Sequence, residues 1–287
     1  MELQPSHRYE IWNVSENPQT RTVDVVLIEA QPGTGDMEGA VYTSVRTYFR
    51  SIRTPRYLYI QRHIGRLKES LEIEHGRFQF DEARLKRALR LAVDKSAIAG
   101  EVRIKIVIAP KWKDPILFMI EPLPTPDPEE YKKGVQVYTT TYIRKDPKAK
   151  VFEFVEIQDQ IRGQFGQRVE EVIMLDPSGG MLEGLSSNFF AVKEGSVYTA
   201  SRGVLNGITR QIVLDIARRE AINVIYQKPK FREIEQFSEC FITSTSRGVL
   251  PVVSIDHKII GPGNPGPITR KLHQLFDERI PKLVEPI

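Results

Sequence analysis

The sequence predicts a mixed α/β protein of two domains, on three observations. The chain has 287 residues, which at roughly 100–200 residues per domain fits one large domain or two modest ones. Strand-like and helix-like segments alternate along the chain, and residues 121–130 contain four prolines that interrupt this pattern. We therefore predict an N-terminal α/β domain over residues 1–121, a proline-rich linker over 122–134 and a C-terminal domain over 135–287.

The N-terminal half is predicted to form a mixed sheet with two amphipathic helices. Segments rich in β-branched and aromatic residues are typical of strands, and the predicted strands are Val23–Ile28, Val41–Phe49, Tyr57–Ile60, Val102–Ile108 and Pro115–Ile120. Apolar residues at helical spacing predict the two helices, which are Arg62–Leu71 and Ala83–Ala97.

The C-terminal half carries the same two kinds of pattern. The predicted strands are Val135–Ile143, Val172–Leu175, Cys240–Ile242 and Val252–Ile255, and a hairpin joins Asn188–Val192 to Val197–Thr199. The predicted helices are Glu153–Gln164, Gly207–Arg219 and Ile268–Phe276.

Composition and charge narrow the class of protein. Hydrophobic residues make up 40% of the chain and charged residues 27%, which is typical of globular proteins and excludes disorder over most of the chain. The net charge of +4 fits a small anionic ligand as well as a polyanion, so it does not favour nucleic acid as a partner. A non-enzymatic anion-binding protein is the remote alternative to an enzyme.

Cysteine content and apolar stretches predict the compartment. The single cysteine, Cys240, cannot form an internal disulfide, and no set of cysteines and histidines is typical of a metal site. Residues 1–7 contain an acid and a proline, unlike the basic start of a secretory signal. The longest apolar stretches are far shorter than the roughly 18 residues of a membrane span. We expect a cytoplasmic protein with no membrane partner.

Two segments of the C-terminal half have the chemistry of anion sites. In Asn206–Arg210 a glycine precedes a predicted helix, whose free N–H groups and positive dipole end attract a phosphate. The hydroxyl-rich segment Thr243–Ser246 follows a predicted strand and could hold phosphate or carboxylate. An ordinary capped helix start and a plain Ser/Thr turn remain the alternatives.

Glu183 and Lys150 are candidates for reactive groups. Glu183 stands among apolar and small residues, where a buried carboxylate needs a cationic partner, although a surface acid at a strand end is the alternative. Lys150 lies where a polar loop, residues 144–150, meets an apolar segment. Desolvation lowers the pKa of an amine and makes it a nucleophile, whereas a solvated loop would leave Lys150 without such a role.

The order of these segments resembles the class IV pyridoxal-phosphate aminotransferase family. The resemblance rests on Lys150, Glu183–Phe190, Leu205–Arg210, Glu239–Thr245 with Pro251–Val252, and, in the first half, on Gly39–Tyr48 and His63–Leu67. It runs from about residue 23 to the C-terminus. This family includes branched-chain and D-amino-acid aminotransferases, (R)-amine transaminases and aminodeoxychorismate lyases.

The resemblance implies roles for residues that bind pyridoxal 5'-phosphate. Lys150 would form an aldimine with the cofactor and then move the substrate's α-proton, with Lys145 and Lys148 as weaker candidates because Lys150 keeps the family's spacing to Glu183. Glu183 would pair with the pyridine nitrogen, and Arg66 would bind the phosphate unless it is a surface residue. The further cofactor-binding residues would be Ser187, Asn188, Leu205 on the ring face, Gly207, Ile208, Thr209, Ser244 and Thr245.

Substrate residues follow less directly from the resemblance. The implied residues are Tyr42, Arg46, Arg103 and Ser246, with a plain strand-face role as the alternative for each arginine. Glu101 and Val155 stand where branched-chain enzymes have tyrosines. The arginine and histidine with which D-amino-acid enzymes hold the α-carboxylate have no counterpart near Ala109.

The resemblance also implies an architecture and an activity. Fold type IV combines a smaller N-terminal α/β domain with a barrel-like C-terminal domain, with the cofactor at their interface, in a homodimer. The implied reaction moves an amino group between an amino donor and a 2-oxo acid, most closely as in branched-chain enzymes. A D-amino-acid aminotransferase and an aminodeoxychorismate lyase that releases pyruvate are the alternatives.

Arg210 lies within one of the matching motifs, but we expect it to lie on the helix surface or at an interface.

Overall fold

The computed structural model describes residues 9–16, 22–28, 37–50, 54–166 and 169–287. Residues 1–7, on which the prediction about a secretory signal depends, lie outside the described residues. The chain forms two compact units. The N-terminal unit contains the chain up to Pro124 together with Ala149–Val155 and Leu283–Ile287, and the C-terminal unit contains Thr125–Lys148 and Glu156–Lys282. The sequence-based partition placed residues 149–155 and 283–287 in the C-terminal domain.

The N-terminal unit is built on a seven-stranded sheet in the order β16-β4-β3-β5-β6-β1-β2. The strands are β1 (Glu10–Glu16), β2 (Val23–Ile28), β3 (Val41–Tyr48), β4 (Arg56–Leu58), β5 (Val102–Ile108), β6 (Ile116–Pro122) and β16 (Val284–Glu285). Every described pair in this sheet is antiparallel. The prediction of a mixed sheet is therefore wrong for this unit, because no described strand pair here is connected by a parallel crossover.

Two helices, α1 (Ile60–His75) and α2 (Glu82–Lys95), share an apolar core with one face of this sheet. Side chains alternate between the faces of a strand. Ile106 and Phe118 accordingly belong to the core with the helices, while their neighbours Val107 and Leu117 belong to a second apolar cluster on the other face. Burial on both faces explains the continuous apolar runs in the sequence.

Several predicted strand boundaries are wrong: the strand predicted as Val135–Ile143 ends at Thr140, the strand predicted as Val252–Ile255 begins at Gly248, and the strand that precedes α1 is displaced. The segment predicted as Tyr57–Ile60 leaves the sheet at Leu58, and α1 already begins at Ile60. Between them Tyr59 has a φ of 47°, in the left-handed region, which ends the extended backbone and turns the chain into the helix. Strand β1 has no counterpart among the predicted strands.

The C-terminal unit contains a nine-stranded sheet that closes on itself. Its strands are β7 (Val135–Thr140), β8 (Val172–Leu175), β9 (Met181–Gly184), β10 (Asn188–Lys193), β11 (Ser196–Tyr198), β12 (Val224–Ile225), β13 (Glu239–Ser244), β14 (Gly248–Ile255) and β15 (Lys258–Ile259). The order β10-β13-β14-β7-β8-β9 is closed by a pair that sets Asn188 opposite Glu183. This closed ring is the barrel-like domain that the resemblance implied. The predicted hairpin is also present as β10 and β11.

Helices and a short 3₁₀ turn complete the described chain. They are α3 (Pro128–Lys133), α4 (Glu153–Gly163), α5 (Ile208–Arg219), the 3₁₀ helix Phe231–Gln236 and α6 (Pro267–Leu283). The segment predicted as a linker contains α3, which starts with a capping box formed by Asp127 and Glu130. Within the described ranges no helix is both long and apolar enough to cross a membrane.

A carboxylate from the barrel caps the last helix. Glu239 on β13 accepts hydrogen bonds from the N–H groups of Ile268 (3.1 Å) and Thr269 (2.7 Å) in the first turn of α6. Those N–H groups have no partner within the helix itself. Gly266 is packed against the same side chain, so that a Cβ at this position would overlap Glu239.

We predict that Gly266→Ala lowers the free energy of unfolding by about 1–3 kcal/mol, because the added methyl group displaces the capping carboxylate. The matched control is Gly65→Ala inside α1, where a Cβ would meet nothing within 4 Å. That change should raise the free energy of unfolding by about 0.5–1 kcal/mol. Urea unfolding of both apo variants measures the difference, and equal stabilities would contradict it.

Candidate active site

Lys150 is anchored beside the start of β3 through its backbone. Its N–H donates to Ser70 Oγ (3.1 Å), and its carbonyl accepts from the Tyr42 N–H (2.8 Å). An isolated bridge pairs the next residue, Val151, with Val41. The Lys150 Nζ consequently lies 4.5 Å from the centre of the Tyr42 ring, whose face attracts a cation.

Burial distinguishes Lys150 from the other lysines of its loop. Lys145 and Lys148 are exposed, whereas Lys150 is half-buried. An amine that is to act as a nucleophile benefits from partial removal from water. Lys150 therefore remains the predicted cofactor lysine, and its burial favours it over the two alternatives.

Arg66 is connected to β3 by a short polar chain. Its Nη2 donates to Thr43 Oγ1 (2.7 Å) and lies 3.4 Å from His63 Nδ1, which is itself 2.9 Å from Thr43 Oγ1. A guanidinium only donates hydrogen bonds, so the Thr43 hydroxyl is free to donate its own proton to His63 Nδ1. Arg66 is 9% exposed, and the surface interpretation of Arg66 is wrong.

This arrangement keeps His63 neutral. Burial, together with the positive charges of Arg66 and Lys150, holds the pKa of His63 well below its usual value. Because Nδ1 accepts the hydrogen bonds, the ring proton resides on Nε2. His63 and Arg66 stand three positions apart and therefore share one face of α1. We call Tyr42, Thr43, His63, Arg66 and Lys150 the lysine cluster.

In the C-terminal unit, Glu183 is a buried carboxylate with three donors. Its side chain is 3% exposed. Arg144 Nη1 donates to Oε1 (3.1 Å), while Asn188 Nδ2 (3.1 Å) and the Leu205 N–H (2.9 Å) donate to Oε2. The surface interpretation of Glu183 is therefore wrong, and the cationic partner that burial demanded is Arg144. We call Arg144, Glu183, Asn188, Leu205 and Gly207 the glutamate cluster.

The start of α5 adjoins this cluster. Asn188 Nδ2 also donates to the Leu205 carbonyl (2.8 Å), and a Cβ at Gly207 would overlap the Asn188 amide. Gly207 is the N-cap of α5 and supplies no side-chain cap. The first helical residues, Ile208 and Thr209, are buried. The N–H groups of this first turn are therefore not bonded by a capping side chain, which is the arrangement of a phosphate site.

A second observation fits a bound group. Ser187 Oγ is buried and has no hydrogen-bond partner among the described residues. A buried hydroxyl without a partner is costly, and Ser187 directly precedes Asn188 of the glutamate cluster. The buried carboxylate is an acceptor that suits a cationic ring nitrogen, and the N–H groups of the helix start and the Ser187 hydroxyl are donors that suit a phosphate.

The second hydroxyl-rich segment forms the turn between β13 and β14. Ser244 Oγ accepts from the Arg247 N–H (3.3 Å) and Nε (3.1 Å). Thr245 is half-buried and Ser246 is buried. The C-terminal unit contains Glu183 and the other predicted site residues Ser187, Asn188, Leu205, Gly207, Ile208, Thr209, Ser244, Thr245 and Ser246. Lys150 and Arg66 belong to the lysine cluster of the N-terminal unit.

The predicted substrate arginines, Arg46 and Arg103, lie opposite each other on neighbouring strands of the N-terminal sheet, in a row of paired residues that we call a rung. Arg46 pairs with Arg103, and Arg103 pairs with Glu121. Arg103 Nε donates to Glu121 Oε1 (2.9 Å), and Lys105 Nζ lies 3.6 Å from the same oxygen. Burial alone would raise the pKa of Glu121, but Arg103 and Lys105 hold it below its usual value.

Glu101, which stands where a tyrosine was expected, has a different role in the structure. It accepts hydrogen bonds from Thr47 Oγ1 (2.5 Å) and the Arg50 N–H (3.0 Å). Val155, the other such position, packs with Tyr42 and Phe152 in the apolar cluster on the second face of the sheet. The aromatic ring of Tyr42 lies beside Lys150, with its centre 4.5 Å from Nζ.

Comparison with known proteins decides the family. Residues 40–255 match the family model described as amino-transferase class IV. The chain belongs to the class IV aminotransferases. The family predicted from the sequence motifs is thereby confirmed.

Individual relatives agree with this assignment. The aminotransferase is 30% identical over 271 residues to a probable branched-chain-amino-acid aminotransferase of Thermotoga maritima, with 92% of this chain and 95% of that protein covered. It is 28% identical to a D-alanine aminotransferase of Bacillus licheniformis over 84% of this chain and 87% of the other.

A solved structure confirms the fold. The T.th. branched-chain amino acid aminotransferase, in complex with N-(5'-phosphopyridoxyl)-L-glutamate, matches with a TM-score of 0.77 at 22% identity and covers 99% of each chain. The predicted type IV fold is therefore confirmed.

Sequence reasoning missed or misplaced several residues of this aminotransferase. Arg144 was included in a polar loop although it is 9% exposed and paired with Glu183. Arg210 was expected on the surface or at an interface but is buried, and its Nη2 donates to the Ala200 carbonyl (2.9 Å).

Burial raises the pKa of the Cys240 thiol well above its usual value, which agrees with a strand residue that has no catalytic part.

The neutral state of His63 predicts a pH dependence of stability. The unfolded chain binds a proton at His63 below pH ~6.5, whereas the folded chain does not, so acidification favours unfolding by up to about 1.4 kcal/mol per pH unit. In His63→Gln, whose amide oxygen can accept the Thr43 hydroxyl, this part of the loss between pH 7 and pH 5 should disappear. Urea unfolding at pH 7, 6 and 5 measures it.

The control is His257→Gln, at an exposed position, which tests the loss of a histidine as such. Identical pH slopes for the wild type and His63→Gln would show that His63 titrates normally in the folded protein, contrary to the prediction.

Proposed function

We propose that this aminotransferase moves an amino group between a branched-chain L-amino acid and a 2-oxo acid, with pyridoxal phosphate as cofactor. The observation that supports a branched-chain substrate is the apolar environment of Lys150. The Lys150 amine lies against Tyr42, whose ring makes an edge-on contact with the half-buried ring of Phe152. An apolar side chain bound beside this amine would find apolar contacts, and burying them stabilises the complex.

The lysine cluster and the glutamate cluster are assigned different roles in cofactor binding and proton transfer. Pyridoxal phosphate, when bound, supplies an electron sink for the carbanion at the substrate's α-carbon. Lys150 would hold the cofactor through its amine, and the same amine would accept and return the proton of the substrate α-carbon. Glu183 would hold a proton on the pyridine nitrogen, because the three donors of the glutamate cluster keep its carboxylate in place.

Phosphate binding is assigned to Arg66, to the N–H groups of Ile208 and Thr209, and to the hydroxyls of Thr209, Ser244 and Thr245. Leu205 would pack on one face of the ring, and Ser187, Asn188 and Gly207 would complete the site. Arg46, Arg103, Tyr42 and Ser246 are assigned to substrate. The rung that joins Arg46, Arg103 and Glu121 would bind the second carboxylate of an acidic partner through its arginines.

The protein is further proposed to act as a homodimer in the cytoplasm, with an amino donor and a 2-oxo acid as its small-molecule partners. A second candidate activity is D-amino-acid transamination, which the likeness to a D-alanine aminotransferase favours.

Replacement of the proposed cofactor lysine tests the activity directly. Lys150→Ala should abolish the spectral change that an amino donor causes in the holoenzyme and lower kcat by at least about 10²–10⁴-fold, because the proton carrier is lost. Lys148→Ala, an exposed position in the same loop, is the matched control and should retain activity. Turnover by Lys150→Ala would refute the assignment.

A half-reaction screen on the same holoenzyme tests the substrate class. L-Leucine, L-isoleucine and L-valine should convert the cofactor spectrum, whereas D-alanine, D-glutamate, (R)-1-phenylethylamine and aminodeoxychorismate should not. Conversion by D-alanine alone would replace the branched-chain proposal with the D-amino-acid one.

A further inference from the structure

We infer that Arg247 is a positioning residue that sets the separation between the two cofactor-binding turns of the C-terminal unit. The ring turn, residues 185–187, joins Glu183 to Asn188, and the phosphate turn is residues 244–246. The inference rests on the proposed function, since it takes the ring turn to hold the pyridine end and the phosphate turn to hold the phosphate end of one cofactor.

The Arg247 guanidinium contacts both turns. Its Nε donates to Ser244 Oγ of the phosphate turn (3.1 Å), and its Nη2 donates to Ser186 Oγ of the ring turn (2.8 Å). The rigid, planar fork of a guanidinium fixes the distance between these acceptors in a way that a lysine ammonium cannot. One side chain thus connects two turns that are more than fifty residues apart in the sequence.

The remaining N–H groups of Arg247 are also used. Nη1 donates to the Glu170 carbonyl (2.8 Å) and to Glu170 Oε1 (3.0 Å), and Nη2 also donates to Glu171 Oε2 (2.7 Å). All five N–H groups therefore have protein acceptors. Arg247 therefore has no N–H group left to bind a phosphate directly. It would affect cofactor binding only by holding the two turns in position.

Glu171 holds the ring turn from the other side. It is fully buried, and its Oε2 accepts from the Ser186 N–H (3.2 Å) and Ser186 Oγ (2.7 Å). Burial alone would raise the pKa of Glu171, but Arg247 and Arg162 lower it to about 2. A Cβ at Gly184 would lie 2.6 Å from Glu171 Cγ, so the turn is packed directly on this carboxylate.

The chain offers a control for this geometry. Arg162 Nη2 also contacts Glu171 Oε1 (3.4 Å) and Ser186 Oγ (3.0 Å). Its described hydrogen bonds include none to the phosphate turn. Arg162 and Arg247 therefore share the same buried acid and the same serine, and only Arg247 also reaches Ser244.

The test compares three probes that use one or both ends of the site: pyridoxal phosphate, pyridoxal and inorganic phosphate. Fixing the distance between two subsites favours a ligand that occupies both of them. Arg247→Lys should raise the Kd of pyridoxal phosphate by about 10-fold or more and change the Kd of pyridoxal and of phosphate by less than about 3-fold. Ser186→Ala, a smaller change, should give the same selective loss at about 3-fold, and Arg162→Lys should not give it.

The other outcomes overturn the inference in distinct ways. Equal weakening of all three probes would make Arg247 a residue of general stability, which a matching loss in the apoprotein Tm would support. Equal weakening of phosphate and pyridoxal phosphate with pyridoxal unchanged would make Arg247 a direct phosphate ligand. Unchanged pyridoxal phosphate binding in Arg247→Lys would refute the inference alone. A wild-type protein that binds no pyridoxal phosphate would refute the proposed function as well.

Discussion

Burial of the Glu183 charge is the constraint on which the C-terminal unit depends. An ionised carboxylate removed from water is several kcal/mol too costly to retain unless donors surround it. Here the donors come from three places: Arg144 in the loop after β7, Asn188 on β10 and the Leu205 backbone before α5. These elements must be in register before the charge is satisfied, and the closing pair of the barrel, Glu183 with Asn188, is part of the same arrangement.

The same rule governs two other buried charges, those of Glu171 and Arg66, with different partners. Glu171 is satisfied by Arg247, Arg162 and Ser186. In the lysine cluster the partner of the buried charge is a neutral group, since the Arg66 guanidinium donates to the Thr43 hydroxyl. Each network joins strands to turns or helices that lie far apart in the sequence. Polar satisfaction, rather than apolar contact alone, therefore determines where the site residues stand.

Local patterns predicted the elements, and motifs predicted the family, but neither identified the residues that pair with the buried charges. The bounds of β2, β5 and β8 agree with the sequence because runs of apolar, β-branched residues end at clear breaks. Strand β1, with the sequence EIWNVSE, mixes polar and apolar residues and was missed. Arg144 was missed because it stands in a run of polar residues with Lys145 and Lys148. A pair of residues 39 positions apart leaves no periodic signal.

Charge compensation also explains why net charge said little about function. Arg144 faces Glu183, Arg247 faces Glu170 and Glu171, and Arg103 faces Glu121. These cations contribute to the net charge of +4, yet their fields are largely cancelled by adjacent acids. The rule can be applied in reverse. When a motif places an acid among apolar residues, a buried partner is required, and the basic residues of the nearest polar loop are the first to examine.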